Sequence, residues 1–257
     1  FEDRCSKPAP ITVNPVIVYP SDDQITNVFE ANNDSSLPIA YRTERALRWL
    51  RERPPHLIKG EALAALKCFL TYRACDGLIS LEVWQEHVFS IEVPPMDDGI
   101  GVRWKISQMT AEVYLTVLNG EIEHISHHAE DVVDYLHLAG KWESTICNFL
   151  RAGVIGAYAS YLNRNDLHAG YLIEQCLDEW QSIMGQIVWK QCPMRFAEMR
   201  EDRDAILMLL VIAKAIGLTT FKEHDWLHVP RIAEGNHPFH RAIRALAKLH
   251  PERALWK

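Results

Sequence analysis

The chain has 257 residues, of which 48% are hydrophobic and 24% are charged, as is typical of a soluble globular protein with a substantial core. Acidic residues outnumber lysine and arginine by 34 to 27, which gives a formal net charge of −7. Proteins that bind nucleic acid usually carry a basic stripe, and this sequence has none, so the charge argues against a nucleic-acid partner.

The cysteines and the apolar segments indicate a cytoplasmic protein. Six cysteines occur without a CxxC pair, and several lie among apolar neighbours, which is typical of reduced, buried thiols. The longest apolar segment, "AILMLLVIAKAIG" at 205–217, is too short to cross a bilayer and contains Lys214. We therefore expect no membrane partner.

The N-terminal region differs from the rest of the chain. Residues 1–20 contain four prolines and the extended segment "ITVNPVIVYP", which predicts an irregular arm. Ser21 and Gln24 have the spacing of a capping box and predict the start of a short helix. We expect residues 1–37 to form this arm and short helix, and residues 38–257 to form a single helical domain.

Helical periodicity dominates after residue 37, and no strand alternation follows the arm. Glycine repeatedly stands just beyond the last residue of the apolar pattern, as at helix ends. The fold class is therefore all-α, with stacked antiparallel helical hairpins in a repeat-like bundle or solenoid. The predicted helices are 38–53, 59–75, 80–91, 102–119, 121–139, 142–163, 165–187, 196–217, 220–228 and 237–249.

A histidine-rich segment, "EIEHISHHAEDVVDYLH" at 121–137, holds four histidines and five acidic residues. As a helix, it places an apolar stripe on one side and His124, His128 and Asp131 on the other. A metal site would need further ligands, because the glutamate of an "HExxH" motif is missing. We interpret the polar side as a solvated face, with these three residues as candidates for binding a partner.

A second histidine group lies near the C-terminus and offers an alternative metal site. His224 and His228 are four residues apart, and His237 and His240 follow after a turn. Four nitrogens from two short elements could close a tetrahedral site, although the spacing matches no standard zinc motif.

The segment 144–162 is nearly apolar on all sides, which predicts a central helix. Its small residues, among them Gly153 and Gly156, would let neighbouring helices approach closely. A polar seam includes Asn148, Arg151 and Tyr158. A buried arginine must find a partner, so Arg151 either forms a structural ion pair or holds a ligand's carboxylate, phosphate or hydroxyl group.

These patterns favour a helical interaction module that binds a protein or peptide through a polar groove, in an accessory or regulatory role. The alternative is an enzyme or small-ligand sensor with a helical pocket around Arg151, assisted by a metal at the 224–240 histidines. No complete catalytic motif is visible, so catalytic residues stay unassigned and no cofactor is expected. The sequence leaves open whether identical copies of the chain assemble into an oligomer.

Overall fold

The computed structural model describes residues 37–52, 58, 60–93, 99–139, 146–184, 200–218 and 235–256. Within these ranges the chain is helical and has no β-strand, which confirms the all-α prediction. The described helices are α1 (Ile39–Glu52), α2 (Gly60–Cys75), α3 (Leu81–Trp84, continued by a π-helical turn, Gln85–Phe89), α4 (Gly99–Leu118), α5 (Ile125–Ala139), α6 (Ile146–Leu162), α7 (Asp166–Met184), α8 (Arg200–Ala215) and α9 (Pro238–Leu249).

The predicted helices agree with the described ones to within a few residues. The predicted arm and the predicted helix 220–228 lie outside the described residues. The chain divides within α4 into two compact units, 1–111 and 112–257. The single domain predicted for 38–257 stays a prediction. Among the described helices, none has the length and apolar character required to cross a lipid bilayer.

In the first unit, a buried hydroxyl links three helices. Thr71 on α2 accepts hydrogen bonds from Trp84 Nε1 on α3 at 3.0 Å and from Gln108 Nε2 on α4 at 3.1 Å. Lys67 donates to the Ile91 carbonyl at 2.9 Å, which fixes the chain leaving the π-helical turn. The Ser80 hydroxyl caps the start of α3, as its position after the turn at 76–79 suggests.

In the second unit, α6 is the central helix, as the sequence predicts. It packs against α5, α7, α8 and α9. Its apolar side chains are almost fully enclosed, including Phe149, Ile155 and Tyr158. A helix that is apolar on all sides is stable in water only when neighbours cover it, which explains this position.

Small residues on α6 set how closely its neighbours approach. A side chain at Gly153 would collide with Cys176 on α7. A Cβ atom at Gly156 would lie 2.5 Å from the Ala129 Cβ on α5 and 3.0 Å from Leu172 Cδ1 on α7. At both glycines a larger residue would force a neighbouring side chain or helix to shift, which agrees with the close approach expected from the sequence.

Gly156→Ala should destabilise the protein, whereas the matched variant Gly170→Ala should not. Overpacking at Gly156 is expected to cost about 1–3 kcal/mol, in part offset by the higher helix propensity of alanine. At Gly170 on α7, the described atoms that a Cβ would meet belong to Ile216 and Leu218 at 3.7 and 3.8 Å, which is ordinary contact, so the propensity gain should dominate. Urea denaturation of both variants measures the difference, and equal changes in their free energies of unfolding would contradict the close packing.

Candidate functional site

A polar network joins the outer helices α5 and α7 to the central helix α6. His168 on α7 lies 3.0 Å from the Ser160 hydroxyl on α6 through Nδ1, and 3.2 Å from Glu130 Oε2 on α5 through Nε2. The Ser160 and Ser126 hydroxyls are also 3.0 Å apart. Three helices thus contribute to one chain of hydrogen bonds in the second unit.

The solvent side of this network is lined by aromatic rings. His127 Nδ1 lies 3.5 Å from the same Glu130 oxygen, and the His127 and His168 rings are 5.7 Å apart. Tyr171 stacks on His168 with 6.3 Å between the ring centres. Partial burial, followed by the negative charges of Asp134 and Glu130, raises the pKa of Tyr171. The carboxylates of α5 therefore act on an aromatic side chain of α7.

The surface around the network is acidic and includes two large apolar side chains. Along α7, Leu167, Tyr171, Glu174 and Asp178 are exposed and follow helical spacing. Asp131 and Asp134 are exposed on α5 next to the half-buried Glu130. We name these seven residues the acidic face: Glu130, Asp131, Asp134, Leu167, Tyr171, Glu174 and Asp178.

The order serine, histidine, glutamate resembles the nucleophile, base and carboxylate of hydrolases. However, Ser160 is only 1% exposed and lies within the tightly packed central helix. A substrate has no access to a hydroxyl in that position. The network is therefore a candidate for controlling charge at the surface.

The histidine-rich segment forms α5, with His124 in the turn that precedes the helix. His124, His128 and Asp131 are exposed, as the amphipathic pattern predicts. Their neighbours His127 and Glu130, which the sequence interpretation did not single out, make the contacts to α7. A role for His124, His128 and Asp131 in binding stays a prediction.

The residues predicted around Arg151 on α6 have different surroundings. The Tyr158 hydroxyl accepts the Leu255 backbone N–H at 3.2 Å, and its ring meets Trp256 edge-on, so Tyr158 holds the C-terminal segment. Burial raises the pKa of Tyr158 to about 12. Arg151 and Asn148 are half-buried, and the charge of Arg151 acts on His237. Ligand binding by Asn148, Arg151 and Tyr158 stays a prediction.

Two of the four C-terminal histidines are described, and both lie at the start of α9. His237 caps the helix, because its Nδ1 accepts the Phe239 backbone N–H at 3.1 Å. His240 is buried, with its Nε2 3.0 Å from Asp204 Oδ2 on α8. Among the described residues, its Nδ1 has no hydrogen-bond partner, and Gly235 lies against the ring. A neutral ring that donates from Nε2 to Asp204 satisfies this arrangement.

The alternative metal site stays a prediction, because His224 and His228 lie outside the described residues. In the described part of the chain, no group of three or more histidine, cysteine or acidic side chains is arranged to hold a metal ion. His237 and His240 each already engage a partner within the protein.

Comparison with known proteins does not assign this chain to a family. It matches no family model, no curated protein and no solved structure.

His237 should make the protein less stable as the pH falls. Burial lowers the pKa of His237 to about 3, and the positive charge of Arg151 acts in the same direction. In the unfolded chain a histidine takes up its proton near pH 6.5, so stability is lost between about pH 6.5 and pH 3. His237→Asn keeps a capping side chain but removes this proton uptake.

Between pH 7.5 and pH 5, the wild type should lose about 2 kcal/mol more free energy of unfolding than His237→Asn. Urea denaturation at several pH values measures both profiles. Parallel profiles would show that His237 is protonated as readily in the folded protein as in the unfolded chain.

Proposed function

We propose that this chain is a helical interaction module that binds a basic segment of another protein or peptide on its acidic face. The observation that carries this proposal is the distribution of charge. Helices α5 and α7 hold seven acidic residues and neither lysine nor arginine, so the remaining 27 acidic and 27 basic residues of the chain cancel. The formal charge of these two adjacent helices thus equals the net charge of the chain, with Asp166 paired to Arg253 at 3.5 Å, Glu179 buried, and the other five acids on the acidic face.

The acidic face also carries apolar anchors. Leu167 is 90% exposed and Tyr171, one turn further along α7, is 39% exposed. Interfaces typically combine a few aromatic or aliphatic anchors with a polar rim that fixes the orientation of the partner. Here the rim beside Tyr171 is carboxylate, because Asp134 and Glu130 act on its ring and Glu174 follows one turn further along α7.

The sign of the charge defines the class of partner. A second copy of the chain would place like charges against each other, and nucleic acid would be repelled. A segment with leucine-like side chains between arginines or lysines would satisfy both the anchors and the rim. Such a partner is also attracted over a distance, which accelerates encounter at low salt.

An amphipathic peptide of alanine, leucine and arginine, acetylated and amidated, should bind the protein. A matched peptide with glutamine in place of arginine should bind at least about tenfold more weakly, because it cannot neutralise the carboxylates. Fluorescence anisotropy at about 50 mM salt measures both affinities, and the difference should shrink at higher salt. Equal affinities for the two peptides would contradict the proposal.

Two charge-matched pairs of substitutions locate the binding surface. The double variant that combines Asp134→Asn with Glu174→Gln should bind the arginine peptide about fivefold more weakly. This corresponds to a loss of about 1 kcal/mol of binding free energy. Glu82→Gln with Glu86→Gln removes the same charge from exposed positions in the first unit and should change the affinity less than about twofold. Equal effects of the two pairs would place the binding surface elsewhere.

The wider proposal concerns architecture and location. We infer that the helices stack as repeat-like antiparallel hairpins, and the packing of α5, α6 and α7 supports this arrangement. We further propose a cytoplasmic protein, a role as an accessory or regulatory subunit, and a groove to which His124, His128 and Asp131 contribute.

A second candidate function is a sensor of small anions near Arg151. The observation that favours it is the convergence of positive charge, because Arg151 and Arg241 both act on His237 at the start of α9. A phosphate or carboxylate bound there would interact with both guanidinium groups. The 224–240 histidines belong to the same alternative.

Thermal unfolding with inorganic phosphate tests the second candidate. Phosphate should raise the Tm of the wild type by about 2 °C or more and leave that of Arg151→Met unchanged. An equal increase in both proteins would indicate a general salt effect and argue against a site at Arg151.

A further inference from the structure

Glu130 stands between two imidazole rings at the edge of the acidic face. Its Oε2 lies 3.2 Å from His168 Nε2 and 3.5 Å from His127 Nδ1. His168 is largely enclosed, whereas the His127 side chain is 73% exposed. One carboxylate of the proposed binding surface is thus shared by two imidazole rings.

The groups that face His168 come from each neighbouring helix. From α5 these are Glu130 and His127, with Asp134 acting on Tyr171, and from α6 it is Ser160. Tyr171 stacks on the ring from α7 itself. The described charged side chains of α8 are Asp204, which binds His240, and Lys214, which is exposed. The chain after α8 packs apolar side chains against Gly170.

The hydrogen-bond network can accept both protonation states of His168. In the neutral state, Nε2–H donates to Glu130, the Ser160 hydroxyl donates to Nδ1, and the Ser126 hydroxyl donates to Ser160. In the charged state, Nδ1–H donates to Ser160, whose hydroxyl then donates to Ser126. Because only hydroxyl hydrogens rotate, every bond survives and no heavy atom has to move.

We propose that His168 and His127 release the basic partner at acidic pH by neutralising Glu130. This inference rests on the proposed function of the acidic face. At pH 8 the carboxylate is available to a partner's arginine. When the histidines are protonated, their positive charge offsets the negative charge of Glu130, so a partner's arginine is attracted less strongly to the face.

The arginine peptide described above tests this inference, because it has no group that titrates between pH 5.5 and pH 8. Its affinity for the wild type should fall at least about fivefold over that range. By linkage, peptide binding at pH 6.5 should release protons, and calorimetry in two buffers of different ionisation enthalpy measures that release. The calorimetric measurement needs no variant and therefore does not depend on any variant folding.

Two matched pairs of substitutions assign the effect. The double variant that combines His168→Gln with His127→Gln should lose most of the wild-type difference in affinity between pH 8 and pH 5.5. His87→Gln with His250→Gln also removes two histidines that each lie 3.6 Å from a glutamate oxygen, but these histidines belong to neither α5 nor α7. This control pair should keep the wild-type pH dependence. If the first pair fails to fold, His127→Gln alone, at its exposed position, should reduce the pH dependence by about half.

The outcomes separate the two proposals. Failure of the peptide to bind at pH 8 would overturn both of them. Binding that is independent of pH in the wild type, or that depends equally on pH in the two variant pairs, would overturn the role of His168 and His127 and leave the acidic face as a binding surface.

Discussion

The second unit depends on the close approach of α5 and α7 to α6 at Gly156. The atoms that a side chain there would meet belong to Ala129 and Leu172, one on each neighbouring helix. Ala129 precedes Glu130, Leu172 lies one turn beyond His168, and Gly156 lies one turn before Ser160. The alignment of α5 and α7 along α6 that packs them against Gly156 therefore also brings Glu130, Ser160 and His168 together. A wider separation of the helices would leave buried polar groups without partners, which is costly.

The histidines of this unit differ in what surrounds them, and their roles differ accordingly. His240 is sealed between Asp204 and Gly235, and a second proton on its ring would have no acceptor. His237 holds the start of α9 through a lone pair that protonation would remove. Both support folding, and burial makes His237 favour the neutral ring. His168 differs, because it has an acceptor on each side and can change charge without losing a bond.

Much of the fold could be predicted from the sequence, because helical periodicity and helix-ending glycines are local signals. Gly120 and Gly217 adopt the left-handed conformation at the ends of α4 and α8, as expected. The central position of α6 also followed from its uniformly apolar surface. The network was not predictable, since Glu130, Ser160 and His168 lie on three helices and meet only through tertiary packing. Periodicity identified the polar side of α5 but did not show which residues on it contact α7.

The location of the negative charge on α5 and α7 says more about function than the net charge of the whole chain does. Seven negative charges spread evenly over 257 residues would affect solubility and little else. Gathered on two adjacent helices, they repel one another across the α5–α7 boundary, and folding must offset that repulsion through the apolar packing of both helices on α6. An almost fully exposed leucine beside these carboxylates is equally unfavourable in water. Local features that cost stability without serving the core are expected at functional surfaces, because binding a partner of opposite charge removes both costs together.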